Sequence, residues 1–147
     1  MASLSIPLPS NKRFSDLIVK ALPCGKHWEV VVPCTYHVGS PNSGDTVEIP
    51  IGFITDFGSI PFGLRWAVSP QGRAQRAYVL HDVLYDQGLR SRLVCDAILI
   101  EAMDVCGCNW LQKKMVWRGL QLGGWWAWNE HRRRDEKKLS DSSCTHT

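Results

Sequence analysis

The chain has 147 residues, of which 44% are apolar and 21% charged, with a formal net charge of +3. That balance fits one ordinary soluble domain with a real core. The mild charge is low for a nucleic-acid binder, no apolar run reaches the roughly 18–20 residues that span a bilayer, and the opening "MASLSIPLPSNKRF" lacks the basic start and apolar block of a secretory signal.

Residues 1–14 are polar and proline-containing and are expected to form a loose arm, or a strand added to a neighbour. From Lys26 the chain turns β-like. "HWEVVVPCTYHVG" is rich in Val, Thr, Tyr and Trp, "SPNSGD" is a loop by composition, and "TVEIPIGFIT" is the next strand candidate. A hairpin or meander over residues 27–56 follows. Pro33 and Pro50 belong at an edge or a bulge, because proline cannot donate to a ladder.

After Pro61 the pattern becomes helical. Ser69-Pro70 is a helix start, and that helix runs to about Asp86 and ends at Gly88. Ser91 caps a second helix, "RLVCDAILIEAMDVC", which Gly107 stops. Its apolar residues run nearly all round, Leu93 and Val94 included, so deep burial is expected. Asn109 opens a third helix, weakened or ended by Gly123-Gly124, before "WWAWNE" and a charged end. The layout predicted is α+β: a small antiparallel sheet, then about three helices. Residues 15–128 make a single domain, and residues 129–147 a charged flexible tail.

Six cysteines are present: Cys24, Cys34, Cys95, Cys106, Cys108 and Cys144. Without a secretory signal, free thiols are expected. Cys24 and Cys34, with His27 and His37 nearby, could form a mixed metal site, but the spacing matches no standard finger.

Chemistry concentrates in two apolar strings. In "IGFITDFGSIP", Asp56 sits among Phe53, Ile54, Phe57 and Ile60, where a carboxylate is costly unless bonded. Thr55 and Ser59 could supply such bonds. In "AYVLHDVLYDQG", Tyr78, His81, Asp82 and Tyr85 follow i, i+3, i+4, i+7 spacing and share one broad helix face. Asp96 and Glu101 interrupt the next helix, about 140° apart around it. Asp56, His81, Asp82 and Asp96 can meet if the sheet end and two helices come together. A His with carboxylates can ligate a divalent metal such as zinc or manganese. A His oriented by an Asp is a general base. Ser59 as a nucleophile lacks the G-x-S-x-G elbow. A buried polar network that only pins the elements together uses the same residues.

"GFITDFGSIP", "AYVLHDVLYDQG" and "SRLVCDAILIEAMDVCG" together resemble a phage and prophage family, the domain of unknown function 1353, over roughly residues 45–126. Thr55, Asp56, Ser59, Ile60 and Pro61 match its first motif. His81, Asp82 and Tyr85 match the second, and Asp96 and Glu101 the third. Gly58 and Phe62 depart from the pattern. The resemblance implies no reaction but does imply a tailed-phage setting. A virion or assembly protein of the tail or baseplate is therefore expected, made in the host cytoplasm and located in the virion. Its partners would be other phage structural proteins, met through the region of Trp117, Trp125, Trp126 and Trp128. The alternative is a small metal-dependent hydrolase of the host envelope or a nucleotide, with His81, Asp82 and Asp56 catalytic and Asp96 a fourth metal ligand. A nucleic-acid-binding module is a third possibility, from the Lys113, Lys114 and Arg118 face. A membrane-surface role suits Trp with Arg, but Gly123-Gly124 and mixed charge count against a stable amphipathic helix there.

Overall fold

A computed structural model describes residues 13–55 and 74–143. The fold is α+β, with antiparallel strands followed by helices. The chain divides into two compact units, residues 1–54 and 55–147.

The first unit is built on short strands. Strand β3 (Cys34–His37) pairs antiparallel with β4 (Thr46–Ile49), in the register Cys34 to Ile49 and Tyr36 to Val47. Those four side chains are buried, while Thr35, Glu48, His37 and Thr46 alternate outward. Phe14 bridges to Tyr36 and packs ring to ring at 4.8 Å. Arg13 and Phe14 are thereby fixed to the sheet, and the rest of the stretch expected as a loose arm or an added strand, residues 1–12, lies outside the described residues. Strand β1 (Val19–Ala21) pairs antiparallel with β2 (Trp28–Val30), and β5 (Ile54–Thr55) lies on the other side of β2.

The expected single strand "TVEIPIGFIT" is in fact two, β4 and β5, in different sheets. Pro50 and Gly52 cause the break. The Phe53 N–H bonds the Pro50 carbonyl at 3.2 Å, and Gly52 sits at φ 85°. That is the third position of a tight turn that favours glycine. Pro33 likewise falls between β2 and β3, outside both ladders.

The second unit is helical. Helix α1 (Gln75–Gln87) ends on Gly88 in the left-handed region, as its sequence predicts. Its expected start at Ser69-Pro70 lies outside the described residues. Helix α2 (Arg92–Val105) is capped by Ser91, whose Oγ accepts from the Val94 N–H at 3.4 Å. The Ser91→Ala variant should lose about 0.5–1 kcal/mol, read as a lower urea midpoint. Cys95, Ile98, Leu99, Ala102 and Met103 form the buried face of α2. Leu93 and Val94, expected inside, are exposed in its first turn.

Helix α3 (Trp110–Ser143) opens with a reciprocal cap. Asn109 Oδ1 accepts from the Gln112 N–H at 2.8 Å, and Gln112 Oε1 from the Asn109 N–H at 3.3 Å. The helix then runs straight through Gly123-Gly124 for 34 residues. The sequence suggests that the pair weakens or ends it and that residues 129–147 are a charged flexible tail; up to Ser143 they are helix instead. Two glycines cost about 2 kcal/mol against alanine, which packing of the following turns against α1 offsets. Trp128 meets the Tyr85 ring edge-on at 5.2 Å. Arg132 Nη2 donates to the Tyr85 carbonyl at 2.5 Å and to that of Asp86 at 3.4 Å. A cation there also faces the negative end of the α1 dipole. Among the described residues, no helix is long and apolar enough to cross a membrane.

Candidate functional site

The helical spacing on α1 sends its polar residues two ways. Asp82 Oδ2 accepts a hydrogen bond from Thr55 Oγ1 at 2.9 Å. His81 and Tyr85, one turn apart, both reach Asp96 on α2. Asp96 Oδ1 accepts from the Tyr85 hydroxyl at 2.6 Å and from His81 Nε2–H at 2.9 Å. The His81 and Tyr85 rings lie 4.1 Å apart, centre to centre. Asp96 is 0% exposed. Two hydrogen-bond donors and one cation converge on it, which offsets the cost of burying a carboxylate.

The cation is Arg92, one turn before Asp96, with Nη1 3.5 Å from Oδ2. That contact is an ion pair too long or too misaligned to count as a hydrogen bond, and Oδ2 has none among the described residues. Arg92 Nη1 also donates to the Leu120 carbonyl of α3 at 3.3 Å. The cluster therefore ties all three helices together.

Electrostatics follow from burial. Burial, and then the bond to Asp96, push the Tyr85 hydroxyl far above its usual value, so it remains a donor. Burial and the Asp96 charge raise the Cys95 thiol to about 11. His131 stands edge-on to Tyr85 at 6.0 Å. Burial holds His131 below 6.5, although the charge of Asp86 opposes this. The neutral ring is thus favoured in the fold. Its contribution is complete above pH 6.5 and is lost as pH falls through the lowered folded value. The His131→Gln variant should lose less urea resistance than the parent between about pH 8 and about pH 5.

Of the residues singled out from sequence, His81, Tyr85 and Asp96 converge, and Thr55 and Asp82 pair beside them. Glu101 lies on α2 but bonds neither Asp96 nor His81. Asp56 and Ser59 lie outside the described residues. Among the described residues, no three His, Cys, Asp or Glu side chains gather as a metal site. Within those residues His81 and Asp96 bond each other and Asp82 accepts from Thr55, while Asp56, the remaining member of the candidate ligand set, lies outside them. Sequence reading missed Arg92 and Arg132. Arg92 was legible from its i, i+4 spacing to Asp96, whereas nothing local marked Arg132.

The cysteine–histidine idea reduces to one exposed pair. Cys24 Sγ lies 3.2 Å from His27 Nδ1 at the β1–β2 turn, while Cys34 is buried and donates to the Ser15 carbonyl. The Lys26 backbone N–H, then His27, lower the Cys24 thiol to about 7. Iodoacetamide near that pH should label Cys24 ahead of the buried Cys34, Cys95 and Cys108, and His27→Ala should move its rate profile to higher pH, as peptide mass mapping would show.

A family model described as "Protein of unknown function (DUF1353)" matches residues 28–120. No curated protein and no solved structure matches the chain.

Proposed function

Since the chain belongs to the DUF1353 family of unknown function, and the family resemblance implies a tailed-phage setting, we propose that it is a bacteriophage or prophage virion or assembly protein. A small component of the tail or baseplate fits best, with other structural proteins of the particle as its partners. One observation carries the architectural side of this reading. Asp96, fully buried, is committed to His81, Tyr85 and Arg92 inside one helical unit. A carboxylate so enclosed by its own chain suits a structural role. Mass spectrometry of purified particles should detect the protein at a steady copy number. Its absence from particles and from assembly intermediates alike would end this reading.

A hydrolytic reading draws on His81 alone. Nε2 is turned to Asp96, which leaves Nδ1 with no hydrogen bond among the described residues, and the side chain is 12% exposed. An imidazole oriented this way is a usable general base. If His81→Ala abolished turnover of an envelope or nucleotide substrate while retaining the parent's thermal stability, this reading would replace the architectural one.

A further inference from the structure

Among the described residues, helix α3 leaves a large aromatic surface exposed. Trp110, Leu111, Trp117, Leu122, Trp125 and Trp126 are all exposed, Trp126 at 77%. At 100° per residue, Trp110, Lys114, Trp117, Arg118, Gln121 and Trp125 share an arc of about 100°, and Leu111, Leu122 and Trp126 extend it on one side to about 180°. The buried Val116 and Leu120 lie on the opposite side. The surface runs for about 24 Å from Trp110 to Trp126.

Charge says what this surface meets. No Asp or Glu occurs between Asn109 and Asn129. Lys114 and Arg118 are exposed and have no ion-pair partner among the described residues. Lys114 Nζ sits 4.7 Å from the Trp110 ring centre, so its charge and the aromatic face present together. Tryptophan interleaved with Lys and Arg, free of acid, suits the headgroup layer of an anionic bilayer. There the indole sits between apolar and wet zones and the cations meet phosphates. A second copy is disfavoured, because a self-complementary interface would bring like charges together. The doubt raised by Gly123-Gly124 falls away, since α3 is continuous across them.

We propose that the exposed Trp110–Trp126 face of α3 docks on an anionic lipid surface, lying in the interface plane without spanning it. The inference stands on α3 alone, so it can fail or hold independently of the particle reading, which proteomics of particles tests.

The test is flotation of the full-length protein with vesicles of phosphatidylcholine, with or without phosphatidylglycerol, alongside tryptophan emission. Binding to the anionic vesicles, a blue shift, and weakening as salt rises are expected. Replacing Lys114 and Arg118 together by glutamine should weaken binding about 30-fold. The Trp125→Ala/Trp126→Ala pair should abolish most of the blue shift. Both pairs are exposed, and circular dichroism of each variant should match the parent. Three outcomes overturn the proposal: no binding to anionic vesicles, binding indifferent to both pairs of substitutions, or a concentration-dependent dimer by sedimentation that shields the tryptophans without lipid.

Discussion

Asp96→Ala is expected to cost about 3–5 kcal/mol, enough to leave much of the chain unfolded if the parent has ordinary stability. The substitution removes one side chain but strands three. The Tyr85 hydroxyl loses its acceptor while buried, His81 Nε2–H loses its partner, and Arg92 loses its counter-charge. A stranded buried donor costs about 1–3 kcal/mol by itself. The Asp96→Asn variant keeps the shape and one acceptor oxygen, so its loss should be well below that of alanine. Tyr85→Phe removes a single bond to a charged group and should cost about 1.5–3 kcal/mol. Urea denaturation orders the three. A loss under about 1 kcal/mol for Asp96→Ala would show that the cluster holds nothing together.

The second large effect is expected at Gly88. It caps α1 at φ 61°, a region that costs a side-chain-bearing residue about 1–2 kcal/mol. A Cβ there would also overlap the guanidinium of Arg132. Arginine ends are normally free to move aside, but this one is held by the Tyr85 carbonyl, the Trp128 ring at 5.0 Å and Asp135 at 3.2 Å. Gly88→Ala should therefore cost about 2–5 kcal/mol, combining backbone strain with loss of the arginine bonds. In an Arg132→Ala background the cost should fall to the strain alone, about 1–2 kcal/mol. Equal costs in the two backgrounds would show that Arg132 moves aside freely.

These two sites show what sequence reading can reach. Gly88, Ser91 and Gly107 were legible because helix ends are written in local chemistry, within a turn of the residue concerned. The shared face of His81 and Tyr85 was legible from spacing. Their partner was not. The sequence put Asp56 and Asp96 both within possible reach of them. Asp56 lies outside the described residues, and that Asp96 bonds both rings was not legible, because which rows of two packed helices meet depends on a crossing geometry that no single helix encodes. The double glycine at 123–124 misled for a related reason: propensity is local, and the contacts of Trp128 and Arg132 that outweigh it lie some forty residues away in sequence. Pro50 and Gly52 were visible as interruptions, yet only the turn shows that the strands on either side join different sheets.

The bond from Arg132 to the Tyr85 carbonyl joins residues 47 apart in sequence. Contacts of that span close late in folding, and the half-buried to exposed end of α3 opens more readily than a buried core. The distal turns of α3 and the last turn of α1 should then fluctuate as one sub-global unit. In native-state hydrogen exchange their amides would lose protection together, ahead of the α1–α2 core. A protease that cuts α3 beyond Trp128 would meet its substrate through that opening and not through global unfolding.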